Sequence, residues 1–208
     1  MPQYFDNVPE LASKKKTISF VIKDKEISFV SDIGVFSKDK VDEGTIAFLK
    51  MLLSRPLFGK ILDLGSGYGA LGLTLALFNP NCQFVLADVN ERALALAKEN
   101  QKRLHLENVT CCISDIYENI TELFHSIVIN PPIRAGKKVI YPMFKGAYEH
   151  LIDDGSLFIV IRKSHGAHSA EAYIKSVFGN CALLKKEKGY YIYEAKKGTT
   201  KKDERGAI

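Results

Sequence analysis

The chain has no tryptophan, only four cysteines and no CxxC pair among its 208 residues. Cys82, Cys111, Cys112 and Cys181 lack the spacing and the histidine neighbours of a zinc site, so no metal centre is expected and buried, reduced thiols are. No uninterrupted apolar run approaches the ~18 residues of a membrane span. The start, Met1-Pro2-Gln3-Tyr4-Phe5-Asp6, has no basic patch followed by an apolar segment, so a secretory leader is not expected and a cytoplasmic location is. Charge of one sign is also scarce, with 29 basic side chains against 24 acidic. Five basic and two acidic residues fall in Lys196–Ile208, and three and two in Met1–Lys16, which leaves the body nearly balanced. Bulk charge therefore does not argue for nucleic acid, whereas local clustering does: Arg134, Lys137, Lys138 and Lys145, then Arg162-Lys163 and Lys185-Lys186. What remains is ordinary globular composition, 46% apolar and 25% charged, at a length that suits one large domain with a cleft.

Along the chain, Thr17–Val30 reads as a hairpin turning at Asp24-Lys25, because Ile18, Phe20 and Ile22 and then Ile27 and Phe29 alternate with polar residues. Asp42–Leu53 has helical spacing at Ile46, Leu49 and Leu53. Strands are then expected at Lys60–Leu64, Gln83–Ala87, Val109–Ile113, Ser126–Ile129 and Gly155–Ile161. Helices are expected at Ala70–Phe78, Glu91–Leu104 with Asn90 as its cap, Lys138–Leu151 and Ser169–Phe178. Two last strands, Ala182–Lys186 and Tyr190–Glu194, join near Gly189. Such alternation predicts an α/β fold: a mostly parallel, seven-stranded sheet with helices on both faces, preceded by a hairpin and a helix. The expected layout is a partly flexible leader over 1–16, a single domain over 17–197 and a polar, disordered tail over 198–208. Ligands of such sheets sit beyond the carboxyl ends of the strands, where strand order reverses.

The chemistry is expected at four strand tips. Asp63-Leu64-Gly65-Ser66-Gly67-Tyr68-Gly69 carries an apolar strand into a glycine turn that opens a helix, so that backbone can approach a ligand closely. Gly67 to Gly72 also matches the dinucleotide GxGxxG, which leaves a nicotinamide cofactor as an alternative. A carboxylate at Asp63 would repel a pyrophosphate but could accept from an ammonium group, which favours S-adenosylmethionine. Asp88, with Asn90 beside it, ends the second strand where ribose hydroxyls are held; otherwise it is a helix N-terminal acid. Asp115 ends the third strand, where it could read an adenine amine or simply be a solvated turn acid. Asn130-Pro131-Pro132 follows the fourth. Two prolines could merely end a strand. At this place they would also hold the Asn130 amide oxygen and the Pro131 carbonyl toward one target amine, without competing donors.

With these motifs the sequence resembles the single-domain bacterial relatives of the RsmC-type small-subunit ribosomal RNA guanine-N2 methyltransferases. Matching stretches are Ser31–Ser37 with Val41–Thr45, Leu62–Leu73, Ala87–Leu94, Asn130–Lys137, Ile161–Ala167 and Lys186–Tyr193. The resemblance implies a Rossmann-like class I methyltransferase fold. It implies S-adenosyl-L-methionine as cofactor, held by Phe36, Ser37, Thr45, Asp63, Gly65, Gly67, Gly69, Asp88, Asn90, Asp115 and Asn130. It implies that Asn130, Pro131 and Pro132 act on the target amine and that Ile133, Arg134, Lys137 and Lys138 meet ribosomal RNA or a small-subunit particle. Two departures stand out: the chain is too short for the second, degenerate domain of those enzymes, and Ile133-Arg134 replaces their Phe-His. Tyr4, Phe5 or Tyr141 could stack on a base instead. Alternatives are a methyltransferase for a protein glutamine or a small-molecule amine, a nicotinamide oxidoreductase, and a non-catalytic RNA-binding module. Monomer and dimer are both open.

Overall fold

The computed structural model describes residues 13–35 and 37–199. The expected leader up to residue 12, the tail from residue 200 and Phe36 lie outside the described residues. A two-stranded hairpin, β1 (Lys16–Ile22) and β2 (Lys25–Ser31), precedes α1 (Glu43–Leu52). The hairpin turns at Lys23 and Asp24, both at positive φ. Then follow β3 (Lys60–Leu64), α2 (Ala70–Phe78), β4 (Gln83–Asp88), α3 (Glu91–Arg103), β5 (Val109–Ile113), β6 (Phe124–Ile129), α4 (Lys137–His150), β7 (Leu151–Arg162), α5 (Ala167–Phe178), β8 (Ala182–Glu187) and β9 (Tyr190–Lys196). The sheet order is β5-β4-β3-β6-β7-β9-β8, parallel through β7, with β9 inserted antiparallel beside β7 and β8. This is the mostly parallel, seven-stranded arrangement that the sequence predicts.

Strand pleat sorts the side chains into two cores. Ile61, Phe84, Leu86, Val128, Phe158 and Val160 pack with α1, α2, α3 and the hairpin. Leu62, Leu64, Val85, Ile127, Ile129 and Ile159 pack with α4 and α5. Asp63 has the parity of Ile61, so its side chain goes under α2. Buried Asn100 of α3 fastens the hairpin to the body: its Oδ1 accepts from Val30 N (2.7 Å), and its Nδ2 donates to the carbonyls of Val30 and Tyr68 (both 3.0 Å). An amide is well suited to this, since it completes a strand edge with one donor and one acceptor group.

Strand order reverses between β3 and β6, and the pairing of Asp63 with Val128 aligns their carboxyl ends. The Gly67–Gly72 match to a dinucleotide signature finds its reason in packing. A Cβ on Gly72 would lie 2.7 Å from Asp63 Oδ2 and 2.8 Å from Leu86 Cδ1. Gly72→Ala should therefore destabilise the protein by about 1–3 kcal/mol, the usual cost of an overpacked core. Urea unfolding measures it, and an unchanged midpoint would refute this account of the helix–strand contact.

Candidate functional site

The glycine turn is built against the neighbouring strand tip. The N–H groups of Gly65 and Ser66 both donate to Ala87 O, at 2.8 and 3.0 Å. Gly65, Gly67 and Gly69 have φ of 77°, 58° and 93°, the left-handed region that side chains resist. Gly67 N donates to Asp88 Oδ2 at 2.7 Å, and Asn90 N to Asp88 Oδ1 at 2.8 Å. Asp88 is only 2% exposed, and its charge is balanced by these peptide dipoles. It thus does more than cap a helix: it ties the turn after β3 to the tip of β4.

Several expected site residues prove to have structural work. Asp63 is 1% exposed, and its Oδ2 accepts from Gly72 N at 2.8 Å, where contact with a ligand ammonium was expected. The pleat turns that oxygen into α2. Gly69 is the N-cap of α2, and a Cβ there would meet Leu73 at 2.6 Å, so its glycine serves packing as well as the left-handed turn. The Asn90 side chain accepts from Ala93 N (3.0 Å) as the cap of α3. Asp115 is exposed at the tip of β5, and its carbonyl accepts from Glu118 N. Ser37 is half-buried at positive φ.

Beside this turn, Asn130 follows β6. Its Nδ2 donates to Thr45 Oγ1 at 2.9 Å and more weakly to Asp42 Oδ2 at 3.5 Å. Thr45, expected over the cofactor, is in this structure the partner of Asn130. Among the described residues no donor reaches Asn130 Oδ1 or the carbonyl of Pro131. Pro131 is buried, and the Pro132 carbonyl accepts from Ala135 N, which starts a short 3-10 turn at Ile133–Ala135. Ile133 packs half-buried against the second core, while Arg134, Lys137 and Lys138 are exposed. Tyr141 stacks on Tyr173 at 4.0 Å, and Lys137 Nζ lies 5.7 Å from its ring, so protein groups already hold it. Tyr4 and Phe5 lie outside the described residues.

Sequence reasoning missed Asp42 as a site residue, and with it Tyr190 and Gly44. Asp42 starts a helix, a signal legible as a cap. Tyr190 is 148 positions away from it and gives no local sign. Ser66 supplies a further observation: its Oγ is buried and has no hydrogen-bond partner among the described residues. A buried hydroxyl without a bond is costly, and one in a glycine turn at a strand-order reversal fits a polar ligand that would satisfy it. Gly65 is exposed there, and a Cβ on it would touch only Met143 Cε, at 3.5 Å. The turn thus leaves room for close approach.

A family model described as methyltransferase small domain matches residues 26–194. The "Uncharacterized protein YbxB" of Bacillus subtilis (strain 168) is 42% identical over 196 residues, covering 93% of this chain and 98% of its own length. Ribosomal RNA small subunit methyltransferase C of Aliivibrio fischeri (strain MJ11) is 33% identical over 171 residues, covering 79% of this chain and 48% of its own length. The chain thus spans about half the length of the curated methyltransferase C relatives it matches. Among solved structures, the T. thermophilus 16S rRNA N2 methyltransferase RsmC, in complex with AdoMet and guanosine, matches at a TM-score of 0.81 and 28% identity. That match covers 91% of this chain and 52% of RsmC. A Pyrococcus furiosus methyltransferase shares the fold at a TM-score of 0.66 and 21% identity.

Burial pushes the Asp63 carboxyl up to about 7, against the Gly72 N–H that favours the ionised form, and the Asp88 charge pushes the same way. Unfolded, the group titrates near 3.8. Between these values the native state holds a proton that the unfolded state has lost, so this group's contribution to stability falls as pH rises through the window. Asp63→Asn should therefore show a flatter dependence of stability on pH between about 4 and 7. Thermal unfolding across that range checks it, and a slope equal to wild type would refute the raised carboxyl.

Proposed function

The chain belongs to the methyltransferase small domain family, and on that premise we propose that it transfers a methyl group from S-adenosylmethionine to an exocyclic base amine in small-subunit ribosomal RNA, guanine N2 foremost. The observation that carries this reading is the Asn130 amide. Its nitrogen is bonded to Thr45 and Asp42, which leaves its oxygen to accept, next to a glycine turn that can admit a ligand. The residues present fit the cofactor. The open Gly65 and the Ser66 hydroxyl, unpartnered among the described residues, suit its polar end, and the Asp88 carboxylate at the tip of β4, beside the turn, suits ribose hydroxyls. When bound, S-adenosylmethionine supplies an electrophilic methyl group on a sulfonium centre.

The chain's own residues then have positioning to do. Asn130 Oδ1 accepts one N–H of the target amine and the Pro131 carbonyl accepts the other. Two fixed acceptors hold the nitrogen as it leaves the plane of the base and turn its lone pair toward the methyl. Pro131 and Pro132 keep competing N–H donors out of this loop. No histidine base is required, because the alkylated nitrogen loses its proton readily to water. Arg134, Lys137 and Lys138, all exposed after the loop, suit phosphate contacts. Arg162 and Lys163, exposed at the end of β7, extend that basic edge.

The test is to map methylated nucleotides in small-subunit ribosomal RNA from cells with and without the protein, then restore transfer in vitro with labelled S-adenosylmethionine. A guanine that loses its N2 methyl group without the protein supports the reading; an unchanged RNA with a labelled protein or small molecule overturns it. Two variants resolve the parts. Asp88→Ala should weaken S-adenosylmethionine binding by about ten- to a hundredfold in calorimetry, since hydrogen bonds to a charged group contribute ~1.5–3 kcal/mol. Replacing Lys137 and Lys138 together with Ala should leave that affinity unchanged. It should weaken RNA binding and reduce the slope of log K against log salt by somewhat under one per lost phosphate contact.

A further inference from the structure

We infer that Asp42 is the positioning residue that decides which end of the Asn130 amide faces the methyl acceptor, with Tyr190 holding Asp42 in place. The inference rests on the reading of Asn130 given above and deepens it. The oxygen and nitrogen of an amide have nearly the same shape, so packing alone does not distinguish the two orientations. The Thr45 hydroxyl, 2.9 Å from Asn130 Nδ2, can donate or accept and tolerates either. A carboxylate only accepts. Asp42 Oδ2, 3.5 Å from the same nitrogen, therefore favours the amide with its nitrogen inward and its oxygen left for the amine.

Asp42 is itself held by two donors besides Asn130. It is the N-cap of α1, where Oδ2 accepts from Thr45 N at 3.0 Å. Its Oδ1 accepts from the Tyr190 hydroxyl at 3.3 Å. The Tyr190 ring reaches that place only because residue 44 is glycine: a Cβ on Gly44 would lie 2.5 Å from Tyr190 Cε1 and 2.7 Å from Asp42 Oδ2. The Arg162 guanidinium lies 5.7 Å from the centre of the same ring. Burial and the Asp42 charge both push the Tyr190 hydroxyl up, so it keeps the proton it donates. The start of α1, the loop after β6 and the start of β9 thus meet at a single carboxylate.

Substitution can separate this role from capping. Asp42 Oδ2 both caps α1 and faces Asn130, so the test needs a group that caps through an oxygen yet can also donate. Serine caps helices about as well as aspartate does, so Asp42→Ser should melt close to wild type. Its hydroxyl is shorter, uncharged and able to donate as well as accept, so it no longer selects the amide orientation. Single-turnover transfer of labelled methyl to under-methylated small subunits should fall by about tenfold or more, less than the ~10²-fold or greater loss expected for removing a preorganised polar group outright. Affinity for S-adenosylmethionine should stay within about threefold, because the group acts on the acceptor side. Asn130→Asp should do worse, since it sets two carboxylates against each other about 3.5 Å apart. The double variant Asp42→Ser with Asn130→Asp removes that repulsion, lets the serine hydroxyl accept from Thr45 N while donating to residue 130, and should recover at least about tenfold over Asn130→Asp alone. A merely structural Asp42 would not produce that rescue. Wild-type transfer by Asp42→Ser, or no recovery in the double variant, overturns the inference. If the wild type labels no ribosomal RNA, the proposed function fails, and NMR of the 15N-labelled Asn130 side chain still decides this one. Its amide protons should be protected from exchange in the wild type and lose protection in Asp42→Ser; equal exchange in both overturns the positioning role.

Discussion

Strands β3 and β6 run side by side in the same direction, and the chain leaves them toward opposite faces of the sheet. The helix after β3 packs on one face and the helix after β6 on the other, so neither covers the space above the two tips. Every element of the site depends on that divergence. The glycine turn uses it to bring backbone to a ligand, and the Asn130 loop uses it to present an amide beside that turn. Aligned strand ends make the two features neighbours, although they are far apart along the chain.

Three buried or half-buried aspartates organise the crevice, and each is held by peptide N–H groups. Asp63 accepts from Gly72, Asp88 from Gly67 and Asn90, and Asp42 from Thr45. A buried carboxylate without such donors would be costly, and here each one joins two segments that the fold must keep in register. The three differ in what they leave for chemistry. Asp63 sits wholly beneath α2. Asp88 fastens the turn from the side of β4. Asp42 turns its charge toward Asn130 and Tyr190, on the acceptor side of the crevice.

Most strands and helices were legible, because apolar residues in this chain repeat with period two or near 3.6 and glycines or prolines separate the runs. Lys60–Leu64, Ala70–Phe78 and Val109–Ile113 form with the expected boundaries. Misplaced ends have local causes. Strand β7 begins at Leu151, ahead of the apolar run, because Leu151 pairs with Phe124 through an irregular register. Helix α5 begins at Ala167, since Gly166 adopts the left-handed conformation that precedes it. The glycines of the turn were also legible, but their reasons were not alike. Gly72 is small for α2 and its neighbours, Gly65 and Gly67 shape the turn itself, and Gly69 does both.

The sequence by itself determined the alternation of strands and helices, the four strand tips and the types of side chain on them, because these follow from short-range periodicity and turn chemistry. Only the tertiary structure decided what those side chains touch. Pleat parity set an Asp63 oxygen against the Gly72 N–H of α2. Insertion of β9 beside β7 brought Tyr190 to Asp42, across 148 positions that no local pattern connects. Hydrogen bonds between such distant partners are set by sheet order and register, quantities that exist only once the chain has closed on itself.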